Sequence, residues 1–511
     1  MSVPINRRGF VKGSLAAAAA AGAADFGFLN TLPALAADEK ATPKTVRLSP
    51  DIEPLVRLIE DTDRAKLIEA AAAQIRDGVS YQQLLSAVLL AGVRSIKPRP
   101  VGFQFHAVLV VNSAHLASLA ASDADRWLPL FWALDNFKAS QATNKEKNAG
   151  WMMPPVAEAK LPSASQAKKR FIEAMDRWDE EGADVAIASL VRSAGAAEVI
   201  ELFWRYGARD FRDIGHKAIF AANSWRTLQT IGWRHAEPVM RSLAFAMLEH
   251  REPGNPADQD LEADRPGREN LKRLQKIRGD WFQGKEAPSA ATDLVACLRA
   301  ASPSDASEKV VELINKGVSP SSVWDGLFLR AGELLMQQPG IGGLHCVTSM
   351  NALHYAYTAS GSDETRRLLM LQGAAFLPMF REFMKGGRDK LNESLRIDAL
   401  EKADLKASGP EAIEEIMADV SKNKTAAARK VLALLDRQDG VPDGLMAAAR
   451  RLIFLKGSDS HDYKFSSAVM EDAVLVSPEW RDLFLASSLF WLKGSGAPDS
   501  PLVKRTRAAL A

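Results

Sequence analysis

Apolar residues along this chain recur at helical spacing. Over residues 64–76, Leu67, Ile68, Ala71, Ala72 and Ile75 fall three and four apart, and the run stops just before Gly78. Residues 308–316 repeat the arrangement before Gly317, which places Ser80 and Ser319 as N-caps of the helices that follow. Residues 185–191 and 426–435 read as helices too, and no run of alternating strands occurs. The pattern predicts an all-α protein.

The apolar pattern also repeats at long range. With an offset of 239, Leu55-Val56 falls on Leu294-Val295 and Gly78-Val79-Ser80 on Gly317-Val318-Ser319. His106, Asn112 and His115 then fall on His345, Asn351 and His354, so both copies read His-x5-Asn-x2-His. Further on the offset drifts to 245, where His216 meets His461 and Glu237 meets Asp482. We read two tandem, pseudo-symmetric α-helical modules, over 50–270 and 285–505, packed as helical bundles or a short solenoid. A linker rich in Pro and Gly lies between them, including Arg251-Glu-Pro-Gly and Asp264-Arg-Pro-Gly.

The N-terminus reads as an address. Arg7-Arg8 with Phe10 and Lys12, an Ala-rich stretch and Ala34-Leu35-Ala36-Ala37 resemble a twin-arginine (Tat) signal peptide over 1–37. The resemblance implies passage through the Tat translocase to the periplasm or another extracytoplasmic space. That route carries folded proteins, many loaded with a cofactor beforehand. No apolar stretch of transmembrane length follows, so no stable membrane span is expected.

Composition narrows the partners. Lys plus Arg number 65 against 63 Asp plus Glu, a net charge of +2, which gives no basic excess for nucleic acid. Two cysteines, Cys297 and Cys346, exclude a disulfide scaffold and a four-cysteine metal site. Both stand where the other copy has an apolar residue, as core packing would have it.

The histidines carry the chemistry. Six of the eight form matched pairs: His106/His345, His115/His354 and His216/His461. Burying imidazole requires both ring nitrogens to be managed, so its repetition suggests a constraint beyond volume. We therefore expect a histidine-rich metal site in each module. The first would comprise His106, His115 and His216 with Glu237 nearby, the second His345, His354 and His461 with Asp482. Asn112 and Asn351, i−3 to a histidine on one helix face, would orient a ligand or bind substrate. Imidazole with carboxylate and open positions suits non-haem iron or another divalent metal such as zinc or manganese. A haem held by one histidine is an alternative. His106 and His115, nine residues apart, face opposite sides of a straight helix. They share an ion only if the helix starts or breaks near 101–104, and likewise near 341–343; otherwise the two rings serve different neighbours.

Asn112-x-x-His115, Asn351-x-x-His354 and His345-Cys-Val-Thr348 resemble stretches of the questin oxidase-like family, with Ser113 and Ala352 standing where that family has a further histidine. The likeness covers about a tenth of the chain and implies a helical oxidoreductase. The expected function is an exported metal-dependent oxidoreductase or oxygenase acting on an apolar or aromatic small molecule. The alternatives are a non-catalytic helical binding or scaffold protein and a haem or metal carrier.

Overall fold

The predicted helices form, and the residues expected to bound them do so. Ser80 caps helix Tyr81–Ser95 by accepting from the Gln83 amide, and the Gln83 side chain accepts from the Ser80 amide in return. Ser319 accepts from the Ser321 amide at the head of helix Pro320–Gln337. Helix Arg64–Arg76 buries Leu67, Ile68, Ala71 and Ala72, the stripe read from the sequence. The computed structural model describes residues 44–387, 390–437 and 443–511. Among them the fold is all-α, with no strand and only a lone bridge between Lys285 and Val318. The twin-arginine segment lies outside the described residues. No described helix is long and apolar enough to cross a membrane.

Four helices form the centre: α1 (Val111–Leu119), α2 (His216–Ile231), α3 (Ile341–Ala359) and α4 (Ser460–Asp472). α1 packs on α2, α2 on α3, α3 on α4 and α4 back on α1. Each contributes a nearly all-round buried surface, as expected of helices surrounded by others. Two come from residues 50–270 and two from 285–505, so the two stretches share one interior. Thr45–Ala511 accordingly forms one compact unit. The linker is part of it: helix Arg265–Arg273 buries Asn270, whose amide donates to Gln372 at 2.8 Å.

Candidate metal centre

A histidine stands at the head of every central helix. His106 opens a short helix, His106–Leu109, that leads through Val110 into α1. His216 is the first residue of α2, His345 lies in the second turn of α3, and His461 is the second residue of α4. The four helix N-termini thus converge, and their partial positive charge favours neutral imidazole over imidazolium.

Unusual backbone brings the rings together. Before His216, Asp213, Ile214 and Gly215 all take positive φ, a conformation costly for the first two. Buried ion pairs brace that loop, Arg212 with Asp264 at 2.6 Å and Lys217 with Asp210 at 2.9 Å. Within 205–213, Asp210 and Arg212 are thus paired in the interior, whereas Arg205 meets the exposed Glu364 and Asp213 the exposed Arg251. Gly215 is required twice over: its φ is +78°, and a Cβ would stand 2.1 Å from the Ser349 hydroxyl. Gly102, at φ +130°, lets the chain pass the His216 ring, which a Cβ would approach to 3.2 Å.

Three Nε2 atoms meet at one point. His216 Nε2 lies 2.9 Å from His106 Nε2 and 2.9 Å from His345 Nε2. All three lie within 4.8 Å of one another. The opposite nitrogens decide what this means. Nδ1 of His106 faces the Phe103 carbonyl at 2.7 Å, Nδ1 of His216 the Asp213 carbonyl at 2.5 Å, and Nδ1 of His345 the Ile341 carbonyl at 2.7 Å. A carbonyl can only accept, so each Nδ1 carries the proton and each neutral ring turns a bare lone pair inward. Lone pairs facing each other at 2.9 Å, His216 toward both His106 and His345, repel unless a cation lies among them. A further proton is disfavoured: burial pushes all three imidazoles well below their ordinary value, and the nearby Lys464 charge pushes the same way. An ion with bonds of about 2.1 Å holds adjacent ligands about 3.0 Å apart at right angles, close to the separations of His216 from His106 and from His345. Nδ1 anchored on oxygen is also the usual outer support of a metal-bound histidine.

His461 flanks the trio. Its ring centroid lies 4.5 Å from that of His106 and 5.2 Å from that of His345. Its Nδ1 binds the Asp459 carboxylate at 2.6 Å, while its Nε2 is buried without a partner. Burial would raise the Asp459 carboxyl, but its bonds to the His461 ring and amide, together with the charges of His461 and Lys464, hold it at about 2. All four rings border a cavity of about 780 Å³, a size suited to a small organic molecule. Phe103, Phe211, Ile341 and Phe383 give it apolar walls, and Asp213, Glu249 and Arg251 a polar edge. Burial pushes the Asp213 carboxyl up to about 6.

The remaining candidates lie elsewhere. α3 is continuous from His345 to His354, and nine residues of rise separate them by about 13 Å, too far to share an ion. His354 packs against Trp324, Phe328 and Tyr357, and burial pushes it down to about 4. His115 places Nδ1 3.1 Å from the Tyr81 hydroxyl and Nε2 3.3 Å from that of Thr230. The chain does break at Gly102–Phe105 before His106, yet His106 and His115 still serve different neighbours. The rings thus converge in one place, His106 and His216 of the first module meeting His345 of the second, and not in a separate site within each. Glu237 pairs with Arg192 at 2.7 Å, and half-buried Asp482 has Arg481, Asp436 and Lys402 as charged neighbours; neither borders the cavity.

Asn112 and Asn351 do come together, behind the centre. They line a chamber of about 10 Å³, room for one water, along with Arg226, Glu471 and Lys464. Asn351 donates to Glu471 at 2.7 Å and to Asp472 at 2.8 Å. Lys464 is 3% exposed, its Nζ has no partner, and burial pushes its amine down to about 7. Sequence reasoning missed Lys464, whose counterpart at offset 245 is apolar Ile219, and also Asp459. The Asp-x-His spacing of 459–461, an N-cap next to a repeated histidine, was the available signal for the latter.

Compared with known proteins, the chain matches no family model, no curated protein and no solved structure. Its function is read from the site.

Proposed function

We propose that this chain binds one divalent metal ion on His106, His216 and His345 and acts as an oxidoreductase or oxygenase on an apolar or aromatic small molecule. The observation that carries the reading is the meeting of three unprotonated Nε2 atoms, each ring fixed from behind by an acceptor. Three neutral nitrogens with open positions suit non-haem iron, with zinc or manganese as substitutes. Haem fits less well: the porphyrin fills four positions and leaves two on opposite faces, whereas these nitrogens stand side by side.

The cavity supplies the rest. Its aromatic and aliphatic walls favour an uncharged, largely apolar substrate against the open side of the ion, and its polar edge can orient such a molecule. The redox assignment rests on this pairing of metal-type ligands with an apolar chamber and on the questin oxidase-like motifs. Export through the Tat translocase to the periplasm accords with an ion acquired before transit.

Metal analysis of protein purified under argon and reconstituted separately with Fe²⁺, Mn²⁺ and Zn²⁺ tests the reading, followed by oxygen uptake with uncharged aromatic compounds. Retention of one equivalent and substrate-dependent uptake with a redox-active ion support it. Failure to retain any ion overturns it, and retention without turnover for any substrate identifies a carrier.

A further inference from the structure

We infer that His461 is a fourth, displaceable ligand of the same ion, positioned by Asp459 and giving up its place when a molecule enters the cavity. The inference rests on the three-histidine reading and adds to it how the reactive position is opened.

Three observations support it. First, His461 is the one ring of the quartet whose inward nitrogen is unsatisfied and outside the tight group: Nε2 is buried without a partner, while the other three Nε2 atoms lie within 4.8 Å. An unpaired buried nitrogen carries a desolvation cost that coordination would remove. Its ring is already beside those of His106 and His345. Second, its outer nitrogen is set up as for a ligand. Asp459 Oδ1 accepts from both Nδ1 at 2.6 Å and the His461 amide at 2.7 Å, fixing the tautomer with Nε2 free. Third, its support differs in kind from that of the other three. Those rings bond backbone carbonyls, whereas Asp459 is a side chain about half exposed at the cavity wall. A ring held by a side chain can swing where one held by the main chain cannot. His461 also matches His216 in the internal alignment, so a position equivalent to a ligand is occupied by a looser one.

The test uses the full chain loaded with Cu²⁺, read by electron paramagnetic resonance, with imidazole and azide as added ligands. Wild type should show four nitrogen couplings, and His461→Phe three, with imidazole binding at least about tenfold tighter because the position is already open. Asp459→Asn keeps the ring and should lower metal affinity by about 10- to 100-fold; it also serves if His461→Phe fails to fold. Three couplings in wild type, unchanged in His461→Phe and with unaltered affinity in Asp459→Asn, overturn the inference and leave the three-ligand reading intact. Absence of bound Cu²⁺ in wild type overturns both.

Discussion

At the scale of single residues, a histidine's role here is set by what its outer nitrogen touches. His106, His216 and His345 each face a carbonyl and so turn a lone pair inward, whereas His115 has hydroxyls on both sides and His354 sits among aromatic rings. His354 makes a pH prediction. The unfolded chain protonates this ring near 6.5, but the folded one only near 4. As pH falls through that window the unfolded state binds the extra proton, so stability declines between about 6.5 and 4 and this ring adds no further loss below. Urea titrations from pH 7.5 to 4 should show His354→Phe losing less stability than wild type, by up to about 1.4 kcal/mol per pH unit; equal slopes would contradict the assignment. Lys464 is the opposite kind of residue, a buried amine without a bond. Lys464→Met should stabilise the metal-free protein by about 1–3 kcal/mol in denaturant melts, because an unsatisfied buried donor is removed. A loss of stability would show that the amine has a partner in solution.

At the scale of elements, the helices were legible in the sequence and the turns between them only in part. Apolar spacing and the caps Ser80 and Ser319 define helices locally, within a few residues. The convergence of the imidazoles depends instead on backbone that such spacing does not encode: the left-handed run Asp213–Gly215, and the close passage of Gly102 by His216. A glycine in a sequence announces freedom but not the atom that approaches it. Gly215→Ala should therefore do more than strain the backbone. With a Cβ directed at Ser349, it should destabilise the fold by about 1–3 kcal/mol and weaken metal binding as His216 shifts. Calorimetric melting and metal titration of the variant check this, and wild-type values in both would show that the loop relaxes at no cost.

At the scale of the whole molecule, the centre belongs to both stretches of sequence at once. Comparing 50–270 with 285–505 aligns His106 with His345 and His216 with His461, and by itself places each set in its own module. Sequence comparison finds equivalent residues; it cannot say whether equivalents meet each other or stay apart. Here the ring of α1, α2, α3 and α4 brings them face to face. An ion bound there ties both stretches together. Saturating metal at about 100 times its dissociation constant should stabilise the entire unit by about 2.7 kcal/mol, in a single unfolding transition. Two transitions, with only one shifted by metal, would mean that the stretches fold separately.

The number of metal ions per chain decides the account most directly. Mass-spectrometric metal analysis of the reconstituted protein should find one equivalent, lost in His106→Ala, in His216→Ala and in His345→Ala, and retained in His115→Ala and His354→Ala. Two equivalents, or loss of the ion on removing His115 or His354, would contradict a single centre built between the two halves.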